Sequence, residues 1–473
     1  MMKIVILLVL LMLFRGWLVP GEAAYTFRHI GPQHELPHEG VFCIMQDARG
    51  FIWMAAANGL VRHDGCDFKV FKPGHRISYI YEDRQRVLWL GTRDSGLMRF
   101  DRQRERFFVH SAVDEVRVIV EDSLGGLWLG TGSGLQYLDG QRRASIRYGA
   151  DPADHGSLSS GSVWAIFEDR SGELWLGTEG GLNRFDRQRN QFCHYRHQPA
   201  NPHSLSGDRV TAVCEDRQGT LWVGTDKGLY RFDRRQEKFY SYPFADGVSA
   251  ILEGRQGNLW IGTWGGGLNR LDRQAKQLIR CHGGAGESQA LDTARIMSLM
   301  EDRTGILWIG TEDDGAFKVI PRRKNSHKPP VVITEIRLSD GTPLEQSEAQ
   351  PVRLKYGQRA LSIRFAALDY TAPEKNSYAY RLEGRDRDWI ELATRRSVSF
   401  HRLAAGEYTL RVRGSNNDGR WNLTGTSLKI IISPPFWQTR WFQLLLGVIG
   451  LAVVLQLYRL RKKRLSRRLN RAV

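Results

Sequence analysis

A repeated unit along residues 40 to 320 limits the fold of this chain more than any other feature. Each copy has an apolar run ending in Glu-Asp or a close variant, then a Gly turn, a Leu-Trp or similar pair, Gly-Thr and Gly-Leu. A unit of this size with four short strands and Gly-rich turns is typical of one β-propeller blade. The sequence therefore predicts a seven-bladed β-propeller over residues 25–320. The tryptophans of the seven copies lie 36 to 48 residues apart, at Trp53, Trp89, Trp128, Trp175, Trp222, Trp260 and Trp308.

The two ends of the repeat region predict how the ring closes. The seventh copy stops after "GAFKVI" without an outer strand, whereas "YTFRHI" at 25–30 resembles the outer strand "QFCHYRH" at 191–197. Pairing the two ends would complete the seventh blade and remove an exposed sheet edge. The first strand of each copy is apolar at nearly every position, as expected for an innermost strand between neighbouring sheets.

A second β region follows a basic linker at 321–330 and extends over residues 331–436. The alternation in "YTLRVRG" and "LKIII", with the turn "NNDG" between them, favours an immunoglobulin-like antiparallel β-sandwich. The predicted fold class is therefore all-β, with a seven-bladed propeller, then a β-sandwich, then one transmembrane helix.

Three segments orient the chain relative to a membrane. Lys3, the apolar run 4–14 and the small residues before Ala24 predict a cleaved signal peptide at 1–24, with an uncleaved anchor as the alternative. The uncharged run 441–458 is close to the length of a bilayer core and predicts a transmembrane helix at 437–458. The tail 459–473 carries eight of the cations in a chain of net charge +17 and has no acid, which indicates a cytoplasmic location. We therefore expect a single-pass protein of the bacterial inner (plasma) membrane with residues 25–440 in the periplasm.

Two sets of motifs resemble a known family. "EDRSGELWLGTEGGLNRFD" and "EDRQGTLWVGTDKGLYRFD" resemble the two-component regulator propeller repeat, although the first copy has Ala55-Ala56 in place of Gly-Thr. "NSYAYRLEGRDRDWIEL" and "GEYTLRVRGSNNDGRWN" resemble the triple-tyrosine (Y_Y_Y) domain, with Tyr378, Tyr380 and Tyr408 as its tyrosines.

The resemblance implies the periplasmic, ligand-sensing part of a two-component-type signal transduction receptor that works as a homodimer. Relatives join this architecture to a histidine kinase or a diguanylate cyclase, and residues 459–473 are too few to form either. We therefore expect no enzyme activity in this chain, and an output that is either lost or supplied in trans by a cytoplasmic signalling partner.

Within a blade, one set of turns is nearly constant and the other varies. The constant set contains Glu-Asp pairs, whose Asp can hydrogen-bond the turn backbone, so a structural role is expected. The variable face is the predicted site for a soluble ligand, and the family implies an oligosaccharide. Trp164 and Trp264 are the expected stacking platforms for sugar rings, with Arg209 and Arg295 as polar contacts, and the alternative is that each Trp only packs on its neighbours. The full set of candidate residues is Trp164, Arg209, Trp264, Arg295, Arg76, His203, Asp226 and Lys227.

The sequence offers no pattern for a catalytic triad, a metal site or a cofactor, because its histidines and cysteines are scattered. Nucleic-acid binding by the tail is not expected, since a basic run beside a span is usually an orientation signal. Two alternatives to a sensor remain. A protein-binding scaffold would need an apolar variable face. An exported glycan lyase or hydrolase would need two close carboxylates from among Asp94, Glu179, Asp226, Glu312 and Asp313.

Overall fold

The computed structural model describes residues 25–469 apart from 32–35, 37–39, 58, 112–113, 243, 245, 284–286, 345–349 and 359. The predicted signal peptide and residues 470–473 lie outside the described residues. The chain forms two compact units. The first contains the residues up to Pro330 together with Ala367–Asn376 and Asn416–Arg420, and the second contains Val331–Ala366, Ser377–Ser415 and Trp421–Val473.

Seven four-stranded antiparallel sheets build the first unit. The strands of its first half are β1 (Tyr25–Ile30), β2 (Val41–Gln46), β3 (Ile52–Ala56), β4 (Gly59–His63), β5 (Phe68–Phe71), β6 (Ile77–Glu82), β7 (Leu88–Thr92), β8 (Leu97–Asp101), β9 (Arg106–Ser111), β10 (Val116–Glu121), β11 (Leu127–Thr131), β12 (Leu135–Leu138) and β13 (Ser145–Tyr148). The strands of its second half are β14 (Val163–Glu168), β15 (Leu174–Thr178), β16 (Gly181–Asp186), β17 (Gln191–Tyr195), β18 (Val210–Glu215), β19 (Leu221–Thr225), β20 (Gly228–Asp233), β21 (Lys238–Tyr242), β22 (Val248–Glu253), β23 (Leu259–Thr263), β24 (Leu268–Asp272), β25 (Gln277–Arg280), β26 (Ile296–Glu301), β27 (Leu307–Thr311) and β28 (Ala316–Pro321).

The order of these strands confirms the seven-bladed propeller. Six blades use four consecutive strands each, from β2–β5 to β22–β25. The seventh sheet has the order β26, β27, β28, β1, so the N-terminal strand is its outer strand. The register runs from Tyr25 opposite Pro321 to Ile30 opposite Ala316. The predicted closure of the ring is therefore confirmed, and the last blade has no unpaired outer edge on β28.

The Glu-Asp turns hold the blades together from within. One carboxylate oxygen of the Asp accepts backbone N–H groups of its own turn, as in Asp216 with Gln218 and Thr220. The other accepts the indole N–H of the blade tryptophan, and the structural interpretation of these turns is confirmed. The indole bonds, of 2.8 to 3.0 Å, join Trp53 to Asp47, Trp89 to Asp83, Trp128 to Asp122, Trp175 to Asp169, Trp222 to Asp216 and Trp308 to Asp302.

Five arginines join neighbouring blades through the same turns. Each comes after the third strand of a blade and lies between the Asp of the preceding blade and the Glu of its own. Arg273, for example, is 2.9 Å from Asp216 and 3.0 Å from Glu253. The remaining four form the same bridges: Arg102 with Asp47 and Glu82, Arg142 with Asp83 and Glu121, Arg187 with Asp122 and Glu168, and Arg234 with Asp169 and Glu215.

A tyrosine from a distant part of the sequence completes the boundary between blades seven and one. Tyr370 belongs to the segment Ala367–Asn376 of the first unit and is fully buried. Its hydroxyl lies 2.8 Å from the carbonyl oxygen of Gly50 and 3.2 Å from that of His63, and it accepts the N–H of Ile52 at 3.2 Å. Its ring also meets the edge of Trp308, with ring centres 5.5 Å apart. Sequence analysis did not anticipate this segment as part of the propeller unit.

The second unit contains a three-stranded and a five-stranded sheet, ordered β29-β31-β34 and β30-β36-β35-β32-β33. Their buried faces carry Ile333, Phe365, Leu410, Val412 and Ile430, which gives this sheet domain its apolar core. The strands are β29 (Val331–Leu338), β30 (Val352–Leu354), β31 (Leu361–Ala367), β32 (Tyr378–Glu383), β33 (Ile390–Ala393), β34 (Ser397–Phe400), β35 (Gly406–Ser415) and β36 (Trp421–Ile432).

A single long helix, α1 (Arg440–Leu469), follows the second sheet domain. Its part Arg440–Lys462 is the one helix in the described portion of the chain that is long and apolar enough to cross a membrane, and the side chains of this part are exposed. Short 3-10 turns lie at Glu287–Asp292, Tyr356–Gln358, Pro373–Lys375 and Phe436–Gln438. The predicted fold class, with its propeller, sheet domain and terminal apolar helix, is confirmed.

Candidate functional site

The innermost strand of every blade contains a bulge at its second residue. In β14, for example, Val163 pairs with Thr178 and Ala165 with Gly177, so Trp164 between them has no partner in the ladder. The same shift occurs in β2, β6, β10, β18, β22 and β26. A bulge frees one residue from the alternation of a strand and can redirect its side chain.

The seven bulged residues surround one central cavity of about 310 Å³. That volume is at the lower end of the range for small-molecule sites. Deeper lining residues such as Ile44, Ile166 and Leu299 are apolar, while Arg93, Glu115 and Trp264 extend the lining among the variable loops. The bulged residues themselves are Phe42, Ser78, Arg117, Trp164, Thr211, Ser249 and Met297.

Two guanidinium groups lie over the ring of Trp164. The Arg117 guanidinium carbon is 4.1 Å from the centre of the Trp164 ring system, and that of Arg209 is 4.4 Å from it. Such cation–π contacts are each worth about 0.5–2 kcal/mol. Arg117 also donates to Glu115 at 2.8 and 3.0 Å and to the hydroxyl of Ser162 at 3.2 Å. Trp164 is half-buried and packs against two arginines, and its role as a stacking platform for a sugar ring stays a prediction.

Trp264 is the second predicted stacking residue, and it lines the same cavity in a half-buried position. Its backbone forms an isolated bridge with Arg295, and its N–H donates to the carbonyl of Gly247 at 3.0 Å. The Arg295 side chain forms an ion pair with Glu312 at 2.7 Å. The structure therefore brings Trp264 and Arg295 together at the cavity, with the charge of Arg295 already balanced.

The other predicted residues lie around the cavity rather than on its lining. The N–H of Asp226 donates to the carbonyl of Arg209 at 3.1 Å, and Lys227 beside it is exposed. Arg76 is exposed, and its carbonyl accepts the N–H of Arg93 at 2.9 Å. His203 packs on the ring of Tyr240, whose strand β21 is the outermost of its blade. These contacts separate His203 from the central cavity.

Sequence analysis missed most of the bulged ring, including Phe42, Arg117 and Ser249. The signal was nevertheless present. The first residue of each innermost strand is Val or Ile in all seven blades, whereas the second is different in nearly every blade. A varying position directly after a constant apolar one is typical of a side chain released from the core, and aligning the blades on their first strand would have revealed it.

Several buried polar atoms at this site have no hydrogen-bond partner within the described residues. They are Trp164 Nε1, Arg209 Nε, Asp226 Oδ1 and the hydroxyls of Ser249 and Ser298. Leaving such a group unsatisfied costs about 1–3 kcal/mol, so clusters of them are uncommon in folded proteins. A bound polar ligand would satisfy the donors among them.

The deep part of the cavity carries no charge, and its acidic content is low. Burial raises the pKa of the Cys43 thiol to about 12 and raises the pKa of Tyr79 as well, so both stay neutral at physiological pH. Among the described residues, Glu115 is the one carboxylate on the lining, and it pairs with Arg117. None of the five carboxylates considered for a glycosidase lines the cavity. Across the described residues, no group of three or more His, Cys, Asp or Glu is placed to hold a metal ion.

Comparison with known families identifies both units. The two component regulator propeller model matches residues 72–94, 157–180, 204–227, 243–265 and 290–313. The first unit contains two component regulator propeller repeats. The Y_Y_Y domain model matches residues 369–433, which begin within the segment that carries Tyr370 and extend through most of the second sheet domain.

The proteins that this chain resembles include parts of signalling receptors. Over 141 residues the chain is 30% identical to "Histidine kinase P4" of Formosa agariphila, a match that covers 28% of this chain and 10% of the kinase. A solved extracellular domain assigned to a hybrid two component system of B. thetaiotaomicron is similar with a TM-score of 0.54 and 21% identity, over 87% of this chain and 58% of that one. The chain thus corresponds to only part of these relatives. The matched families support a sensor role.

A propeller enzyme has a similar fold as well. Virginiamycin B lyase of Staphylococcus aureus matches with a TM-score of 0.50 and 13% identity, over 63% of this chain and 99% of that one. At this identity the likeness shows a shared propeller fold and nothing about the reaction.

Proposed function

We propose that this chain is the periplasmic sensor region of a receptor in the bacterial inner membrane and that its propeller binds a soluble oligosaccharide in the central cavity. The observation that carries the proposal is the ring of seven bulged residues. Their side chains differ from blade to blade on a scaffold that otherwise repeats, which is the arrangement expected when a constant frame supports a specific binding surface.

Trp264 supports a sugar as the ligand class. It is a half-buried indole on the cavity lining, beside the hydroxyls of Ser249 and Ser298 that have no partner. An indole presents a large apolar face to the C–H side of a sugar ring, while hydroxyl groups satisfy the sugar's own hydroxyls. Both kinds of contact are therefore available within one cavity.

Signal transfer across the membrane is assigned to α1. Ligand binding would favour one arrangement of two paired chains over another, and the two helices would carry that difference to a signalling partner in the cytoplasm. A ligand shifts such an equilibrium only by its difference in affinity between the two arrangements. Crosslinking of single cysteines placed along α1 in membranes, with and without ligand, would detect the change.

The binding proposal is tested by thermal shift of the full chain in detergent against a glycan library. A specific ligand raises the melting temperature by mass action. Trp264→Ala should remove the shift in melting temperature. Trp389→Ala is the control and should leave the shift intact, because Trp389 lies in the second unit. Like Trp264 it is half-buried, and an arginine lies over its ring. A glycan shift that persists in Trp264→Ala would contradict binding at this cavity.

A further inference from the structure

We propose that the ligand of the central cavity carries an acidic group, a carboxylate or a sulfate ester, which Arg117 and Arg209 bind beside Trp164. This inference rests on the proposed oligosaccharide-sensing function and adds the chemical class of the sugar. It starts from the arrangement of the two guanidinium groups, whose carbons lie 4.1 and 4.4 Å from the same indole.

The charges around Trp164 do not balance. Arg93 and Arg117 lie on the cavity lining and Arg209 lies over the ring of Trp164, whereas Glu115 is the one carboxylate among the described lining residues. Glu115 is bonded to Arg117 and lies 3.8 Å from Arg93, so its single charge is shared between two arginines. Within the described part of the chain, Arg209 forms no ion pair of 4.0 Å or less, although the backbone N–H of the neighbouring Asp226 donates to its carbonyl. An anion would neutralise the remaining charge.

The orphaned donors point in the same direction. Among the described residues, Arg209 Nε and Trp164 Nε1 are buried N–H groups without an acceptor, and Asp226 Oδ1 is a buried acceptor without a donor. A carboxylate or sulfate supplies acceptor oxygens, which the two N–H groups can bind. Guanidinium groups bind such oxygens through short, charge-assisted and often paired hydrogen bonds.

The stacked geometry prepares the two arginines for this role. A guanidinium group held over an indole by a cation–π contact still has N–H groups that can donate to an acceptor. The contact also fixes long side chains that would otherwise lose rotational freedom on binding. Trp164 thus positions two cations, and Trp264 is left as the surface for the sugar ring.

The test compares acidic glycans with neutral counterparts of the same length. The probes are an oligogalacturonate and its methyl ester, together with a sulfated oligosaccharide and its desulfated form. Binding to the full chain in detergent is measured by calorimetry at low and high salt. We expect at least one acidic glycan to bind about tenfold or more tightly than its neutral form. This ratio of affinities corresponds to the free energy of one charge-assisted hydrogen bond. The preferred pair distinguishes a carboxylate from a sulfate.

Variants assign the effect to the site. Arg117→Gln and Arg209→Gln should each weaken acidic binding about tenfold or more and reduce its dependence on salt. Arg413→Gln is the matched control, because Arg413 stacks on Trp389 at 3.9 Å and also has a buried Nε without a partner, but it lies in the second unit. Melting curves of each variant verify that it is folded.

The outcomes separate the two proposals. Tight binding of a neutral glycan with no effect of the two arginine variants overturns the acidic ligand and leaves oligosaccharide sensing intact. Acidic binding that is unchanged in Arg117→Gln and Arg209→Gln overturns the assignment to Trp164. Inorganic sulfate that binds as tightly as the sulfated glycan, or a library in which no glycan binds, overturns oligosaccharide sensing itself.

Discussion

The ring of Tyr370 lies beside Gly65, at the position where four other blades carry the arginine that joins them to the preceding blade. Gly65 follows Asp64 as Arg102 follows Asp101, and a Cβ atom on Gly65 would be 3.8 Å from Cδ1 of Tyr370. The absence of a side chain at this glycine leaves room for the tyrosine. The boundary between blades seven and one is therefore joined by a residue from beyond the propeller repeats.

Loss of the Tyr370 hydroxyl should weaken the propeller. Tyr370→Phe leaves the buried N–H of Ile52 and the carbonyl of Gly50 without this partner, and we expect the free energy of unfolding to fall by about 1–3 kcal/mol. Urea unfolding of the full chain, followed by tryptophan fluorescence, measures the change. Tyr408→Phe is the control, since that hydroxyl makes an exposed bond to Ala404, and its effect should stay within about 0.5 kcal/mol. Equal effects of the two variants would contradict a special role for Tyr370.

The arginine bridges should make the propeller sensitive to acid. Burial raises the pKa of Asp216, but the hydrogen bonds from Trp222 and Thr220 and the charge of Arg273 outweigh burial and hold the pKa below 3.8. Asp122 and Asp169 have lowered pKa values for similar reasons. A carboxyl with a lowered pKa stabilises the fold above its unfolded pKa, and this contribution is lost as pH falls through the folded value. Melting temperature should therefore fall as pH decreases below about 3.8, and less steeply in Asp216→Asn.

Asp302 should behave differently because Gly65 leaves it without an arginine. Burial raises the pKa of Asp302, and its hydrogen bonds from Thr304 and Trp308 do not outweigh burial. A raised carboxyl pKa opposes stability once pH rises through the folded value. At pH 7, Asp302→Asn should therefore lower the melting temperature less than Asp216→Asn, which also leaves Arg273 without its charge partner. A larger effect at Asp302 would show that the arginine bridges add little.

Blade six provides a test of the consensus turn itself. It has Gly254 where six blades have Asp, and a Cβ atom there would lie 2.7 Å from a carboxylate oxygen of Glu301 and 3.1 Å from Nε1 of Trp260. Blade seven has Pro321 where an arginine would be needed to balance a new carboxylate. Gly254→Asp should therefore destabilise the protein by about 1–3 kcal/mol, although it restores the consensus residue. Gly254→Ala adds the crowding without the charge, and urea unfolding of both variants separates the two effects.

Removal of β1, the strand that closes the ring, should lower the melting temperature more than its length of six residues suggests. Deleting residues 25–30 exposes the edge of β28 and the apolar groups that β1 covers, including part of Trp260, on which Tyr25 packs edge-on at 5.5 Å. We expect a clear fall in melting temperature and a tendency to associate through the open edge. Deleting residues 1–24 alone is the control and should leave both unchanged. A deletion of β1 that melts like the parent protein would refute the closure.

The repeated part of this structure could be predicted from the sequence because each blade has the same pattern of strands and turns. The Trp and the Asp six residues before it form one hydrogen-bonded pair in six of the blades, so their spacing counts the blades directly. The missing outer strand after "GAFKVI" predicted the closure because a propeller with an open edge is incomplete. These features depend on local pattern and therefore survive in a single sequence.

Contacts that do not repeat from blade to blade could not be predicted in the same way. Tyr370 contacts Gly50 and His63, which are more than 300 residues away in the sequence, and no pattern relates them. The role of Trp164 was also hidden, because the two arginines that stack on it come from strand and loop positions in the blades on either side. Both tryptophans singled out by sequence analysis lie on the cavity lining, but the charges that surround Trp164 depend on the assembled ring.

The pairing of β1 with β28 also determines the order in which the protein can fold. The strand that completes the last blade is the first to leave the ribosome, and residues 31–315 separate it from its partner. Blades one to six can form from consecutive strands as they emerge, but β1 must wait until the chain is complete through Pro321. Contacts of such long range are slow to form because the loop entropy is lost before the contact is gained. Folding of this protein therefore includes a period in which β1 is unpaired, and chaperones that hold extended chains would act on it then.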